Sequence, residues 1–181
     1  MSRIFFALTL PEEIKTSLLA LRKGLTIKPN AVKWVEKENL HLTLHFVGDV
    51  DNARIPQLLQ KAAAAAAGTA KFTVSVEGVG VFPSLYRPRV VWAGIKKGQA
   101  EVIALAQALK QTLGSAQKQP LSPHITIGRI RSGKQLAIEP FLQREAQFYA
   151  GTFEVSSFTC FTSTLTRHGP IYRIIKEILL S

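Results

Sequence analysis

Cysteine is almost missing from this chain. Cys160 stands alone among 181 residues. That excludes an intramolecular disulfide and a cysteine-built zinc site, and it agrees with a reducing compartment. Its neighbours Phe158 and Phe161 point to a buried, inert thiol. Acidic residues are also scarce, with 12 Asp and Glu against 23 Lys and Arg, a formal charge of +11 and a pI near 10.1. Such an excess suits an anionic partner (RNA, DNA, a nucleotide or a membrane surface) or else a solvated basic face with no polyanion ligand. No run approaches the ~20 apolar residues of a membrane span. The start, MSRIFFALTLPEE, has too short an apolar stretch for a signal peptide, so the expected location is the cytoplasm, with no membrane contact. Hydrophobic residues make up 46% of the chain, which argues against disorder. The length fits one domain, or two small lobes sharing a core.

Hydrophobic spacing places the elements. Ile4 to Leu10 suits a buried strand. Pro11, Glu12 and Glu13 then suit a helix start, and Ile14, Leu18, Leu21 and Leu25 share one helical face. Val32–Val35 and His41–Val47 are predicted strands. The alanine-rich stretch from Ala53 to Ala67 is predicted to be a helix, with Ile55, Leu59, Ala62, Ala63 and Ala66 inward and Gly68 as its stop. Phe72–Val76 and Arg89–Ile95 are predicted strands. A third helix carries Val102, Leu105, Ala106, Leu109 and Leu113. His124–Ile130 is again strand-like. A short helical stretch follows over Lys134–Gln143, interrupted by Pro140. Thr152–Ser163 looks like one strand, whose apolar parity flips at Ser156 and Ser157 as at a bulge. Ile171–Leu180 closes the chain as a strand. Strands and helices mix without strict alternation, which predicts an α+β fold with mostly antiparallel sheet. The softest point between the halves is Gly114–Gln119.

Two stretches share one word. HLTL begins at His41 and HITI at His124, 83 residues later, in a chain with only four histidines. Side chains alternate faces along a strand. His41 and Thr43 therefore share a face, as do His124 and Thr126, while the Leu and Ile residues between them enter the core. The His and Thr of one word stand roughly 6.6 Å apart, within reach of one phosphate. If two such strands face each other, one neutral imidazole can take a proton from water and one imidazolium can protonate a leaving oxygen. The hydroxyls can bond the nonbridging oxygens. A metal is not required. His41 and His45, roughly 13 Å apart on a strand, are too far apart to share an ion.

With these words the chain resembles the 2H phosphoesterases, in particular the RNA 2′,3′-cyclic phosphodiesterases, also called 2′-5′ RNA ligases. RIFFALTLP, NLHLTLHFVGDV, RVVWAG, SPHITIGRI and FTCFTSTLTRHGPIY fall in family order and span nearly the whole chain. The resemblance implies a single domain over 1–181. Its two interleaved, pseudo-symmetric lobes of antiparallel sheet, with flanking helices, would form a central cleft. It implies hydrolysis of a 2′,3′-cyclic phosphate, on an RNA end or a cyclic nucleotide, to a 2′-phosphate by a monomer without cofactor or metal. It makes His41 the proton donor and His124 the proton acceptor, with Thr43 and Thr126 on the phosphate. The residues alone leave open which histidine is the acid.

Arg129 follows the second word, where the family often has Arg, and can bind phosphate. Strict alternation puts it on the face away from His124, so it reaches the cleft only through a bulge at Gly128 or a strand end there. His45 shares the His41 face by the same alternation and is expected at the cleft edge or in solvent. Arg87, Arg89 and Arg167 are candidate RNA-backbone contacts. His168 suits a turn. Trp92 and Phe46 are expected in the core rather than stacked on bases. Two other functions fit the words: a ligase joining 2′,5′ ends at the same site, and a non-catalytic RNA-binding module.

Overall fold

A computed structural model of the chain describes residues 1–24, 31–114, 121–131, 138–167 and 169–181. Leu25, Ser115–Gln119, Lys134–Ala137 and His168 lie outside the described residues. In chain order the strands are β1 (Ser2–Thr9), β2 (Val32–Trp34), β3 (His41–Val50), β4 (Phe72–Phe82), β5 (Val90–Ile95), β6 (His124–Ile130), β7 (Tyr149–Val155), β8 (Ser157–Thr166) and β9 (Gly169–Leu179). The helices are α1 (Glu12–Lys23), α2 (Ile55–Ala66), α3 (Gln99–Leu113) and α4 (Glu139–Arg144).

The strands form one sheet in the order β7-β4-β5-β6-β3-β1-β8-β9, with β2 beside β6. Every pairing is antiparallel. The fold is therefore α+β, as the spacing predicts. The sheet has two halves of four strands, joined where β3 meets β6 at one cross-strand pair, Leu42 opposite Ile125. The halves mirror each other across this seam. On one side β1 leads through α1 to β3, which pairs with β1. On the other, β5 leads through α3 to β6, which pairs with β5.

The helices cross between halves. α3 packs on β3 and α2, while α1 packs on β7, where Ile14 sits over Gly151. Glu12 and Glu13 in the first turn of α1 and Arg22 and Lys23 in its last complement the helix dipole. α1 buries Ile14, Leu18 and Leu21, and α3 buries Val102, Leu105, Ala106 and Leu109. In α2 the inward face is Ile55, Leu58, Leu59, Ala62, Ala65 and Ala66, and Ala63 is exposed. Pro140 lies in the first turn of α4, where its missing N–H costs no bond, so it starts that helix rather than interrupting it.

Thr152–Ser163 is two strands, not one with a bulge. β7 pairs with β4 and β8 pairs with β1, on opposite sides of the seam. Ser156 alone separates them. One residue can link strands so far apart in sheet order only because the sheet curls. The parity flip marks a change of partners.

Core side chains of β1, β3 and β6 (Ile4, Phe6, Leu8, Leu42, Leu44, Ile125 and Ile127) face the helices. The opposite face of the sheet is open around the seam. Leu42 is fully buried at the join. Leu42→Ala is expected to cost about 2–5 kcal/mol, read by chemical denaturation. A loss under about 1 kcal/mol would mean that the halves do not depend on this contact.

Candidate active site

The open face holds a cavity of about 720 Å³. His41, Thr43, His124, Thr126 and Arg129 all line it, together with Lys33, Phe46 and Tyr172. The antiparallel register that sets Leu42 opposite Ile125 brings His41 opposite Thr126 and Thr43 opposite His124. The two words are thus neighbours in one sheet, set diagonally, rather than on walls facing across a gap.

Both words break at the same place. In β3, Thr43 is opposite Ala7 and His45 is opposite Phe6, so Leu44 is an extra residue. In β6, Thr126 is opposite Trp92 and Gly128 is opposite Val91, so Ile127 is extra. Each is a bulge at the fourth position of its word, and each reverses the parity beyond it. Arg129 thereby comes to line the cavity. Gly128 leaves room for the β2 side chains beside it: a Cβ there would lie 2.6 Å from Val32 Cγ1 and 2.8 Å from the Trp34 ring.

The same reversal overturns two expectations. His45 is not at the cleft edge but 3% exposed on the helix side, with Nε2–H donating to the Gly114 carbonyl at the end of α3 at 2.8 Å. Phe46 is not in the core but 52% exposed, on the cavity side. Trp92 is half-buried, its ring resting where Gly80 has no Cβ. Arg87, Arg89 and Arg167 are exposed and do not line the cavity. Cys160 is fully buried, and burial pushes its thiol up to about 12.

The two imidazoles are held alike. His41 Nδ1 lies 2.7 Å from the Asn39 carbonyl, and His124 Nδ1 lies 2.7 Å from the Ser122 carbonyl. A carbonyl only accepts, so Nδ1 carries the proton in each neutral ring. Nε2 is then the nitrogen left for chemistry. In His41 it is 3.0 Å from Thr43 Oγ1.

Aromatic rings fix the planes. Tyr172 meets His41 edge-on at 5.3 Å and 88°, and Phe82 meets His124 at 5.0 Å and 81°. Phe5 lies 5.2 Å from His41 and also touches Phe46, Phe161 and Tyr172. Sequence reasoning missed Phe5, Phe82, Tyr172 and the two carbonyls. The position two residues before each His was a signal for the carbonyls. The aromatic partners come from distant strands and leave none.

Burial lowers the pKa of His41, against the Asn39 hydrogen bond that raises it, and the charges of His124 and Arg129 lower it further. Burial likewise lowers His124, against its bond to Ser122, with a further lowering from Arg129. Both rings are therefore neutral near pH 7 when no anion is bound. An anion between them would offset the surrounding positive charge and favour the imidazolium.

An open seam bearing two oriented imidazoles, two hydroxyls and a guanidinium has the groups for acid–base chemistry on a phosphoester. The LigT-like phosphoesterase family model matches residues 8–92 and 94–172. The RNA 2′,3′-cyclic phosphodiesterase of Methanocaldococcus jannaschii is 31% identical over 179 residues, 97% of this chain and 99% of that protein. The protein of that name from Aeropyrum pernix is 33% identical over 166 residues, 89% of this chain and 93% of that one. Among solved structures, apo E. coli LigT gives a TM-score of 0.80 at 30% identity, covering 99% of this chain and 98% of that one. TT0787 of Thermus thermophilus gives 0.82 at 27% identity, covering 98% and 97%. The chain belongs to the LigT-like phosphoesterase family.

Histidine resonances in solution test the electrostatics. His41 and His124 are expected to titrate below the ordinary value of about 6.5 in phosphate-free buffer and to move upward when inorganic phosphate is added. Titration curves that ignore phosphate would mean that no anion sits between the rings.

Proposed function

We propose that this chain is an RNA 2′,3′-cyclic phosphodiesterase that opens the cyclic phosphate to a 2′-phosphate using His41 and His124 and no metal. The observation that carries this reading is the mirrored pair of imidazoles, each oriented by its Nδ1–H, on one cavity with Thr43, Thr126 and Arg129. The names of the relatives supply the cyclic phosphate as the substrate.

His124 Nε2 takes a proton from water as its oxygen forms a bond to phosphorus. The bond from phosphorus to the ribose 3′ oxygen breaks, and His41 Nε2–H gives its proton to that oxygen. The product carries a 2′-phosphate and a free 3′ hydroxyl, and solvent exchange restores both rings. Thr43 and Thr126 bond the nonbridging oxygens, and Arg129 offsets their charge. His41 keeps its proton in a buried setting because the bound phosphate supplies the counter-charge. The assignment of donor and acceptor follows the family resemblance. Both proton transfers are covered by side chains, so no Lewis acid enters the steps.

His41→Ala and His124→Ala are each expected to lower kcat on a 2′,3′-cyclic nucleotide by about 10²–10⁴ while the protein stays folded. The sole product of the unmodified protein is expected to be the 2′-phosphate, resolved chromatographically from the 3′ isomer. Chelation with EDTA is expected to leave the rate unchanged. Full activity in either variant, a 3′-phosphate product or loss of activity with EDTA would each contradict the mechanism.

A further inference from the structure

Lys33 lies outside the catalytic scheme yet lines the same cavity. In the pairing of β2 with β6 it is directly opposite Arg129. Such partners have Cβ atoms about 5 Å apart on one face, and like charges so placed repel. Among the described residues neither cation has a carboxylate ion-pair partner. Glu36 and Glu38 line the cavity too, but neither is within ion-pair distance of Lys33 or Arg129. Lys33 Nζ reaches toward the turn between β8 and β9, where it would lie 3.2 Å from a Cβ on Gly169. The two cations thus stand together on the cavity side, and their repulsion is relieved when an anion lies between them.

The two do not share one task. The charge of Arg129 acts on His41, His124 and Tyr172, and that of Lys33 on none of the three. Lys33 is level with Arg129 on the neighbouring strand, and its ammonium turns toward Gly169, where its charge does not act on the imidazoles. That leaves Arg129 for the reacting phosphate and suits Lys33 to the next phosphate of the same strand.

We propose that Lys33, beside Arg129, forms a second anion subsite for the phosphate on the 5′ oxygen of the nucleotide whose cyclic phosphate is opened. The inference rests on the phosphodiesterase reading for the position of the first phosphate. It makes the end of an RNA chain, which always carries that 5′-linked phosphate, a better substrate than a cyclic mononucleotide without it.

The test compares adenosine 2′,3′-cyclic phosphate with the same nucleotide bearing a 5′-phosphate. In the unmodified protein kcat/KM is expected to favour the 5′-phosphorylated form by tenfold or more. Lys33→Gln is expected to bring that ratio close to one, and Lys33→Arg to preserve it. The log–log salt slope for the 5′-phosphorylated form should fall by ~0.7 in Lys33→Gln, as for one lost single-strand phosphate contact. A ratio near one in the unmodified protein, or one that Lys33→Gln leaves unchanged, would overturn the subsite. Calorimetric binding of adenosine 2′-phosphate and adenosine 2′,5′-bisphosphate gives the same ratio without turnover. An unmodified protein that hydrolyses neither cyclic nucleotide but prefers the bisphosphate through Lys33 would refute the catalytic reading and keep the subsite.

Discussion

The arrangement depends on one short contact between strands. Leu42 meets Ile125 at the seam, and the rest of β3 and β6 pair elsewhere. That single pair fixes the register of the two His/Thr words, because a one-residue slip of either strand would turn its His and Thr toward the helices. It also keeps the seam open. Beyond the pair, β6 is covered by β2 rather than β3, so the sheet parts where a substrate needs room. The apolar residues of the words hold the halves together, and the polar ones stand over the opening.

The matched bulges are the second constraint. An extra residue at Leu44 and another at Ile127 turn the next side chain inward and the following one outward. Position by position, His45 corresponds to Gly128, and Phe46 to Arg129. The fold is thus pseudo-symmetric while the site is not. One side of the cavity gains an exposed aromatic ring and the other a guanidinium. Sugar and base can lie toward one and phosphate toward the other without any change in the sheet.

Much of this was legible in the sequence because it is local. The helices follow from 3.6-residue spacing, the strands from short apolar runs, and the His/Thr faces from alternation over four residues. The failures are non-local. A bulge is set by the partner strand, so nothing in HLTLHF itself shows that His45 turns inward. SPHITIGR has a glycine at the break, and there the bulge could be foreseen as the condition for Arg129. The flip at Ser156 was visible, but whether it marked a bulge or a new partner depended on the curl of the whole sheet. Tyr172 and Phe82 brace the imidazoles from strands far away in the chain. Lys33 became meaningful only through its register opposite Arg129.

The central claim is that the two imidazoles do different work on one phosphorus, His41 giving a proton and His124 taking one. A substrate whose leaving group needs no proton separates these roles. In a cyclic phosphate with sulfur in place of the bridging 3′ oxygen, the departing thiolate is stable on its own. His41→Ala should then recover most of the unmodified rate, while His124→Ala should remain as slow as on the oxygen substrate. Recovery in His124→Ala with none in His41→Ala would reverse the assignment, and recovery in neither would contradict the acid–base account.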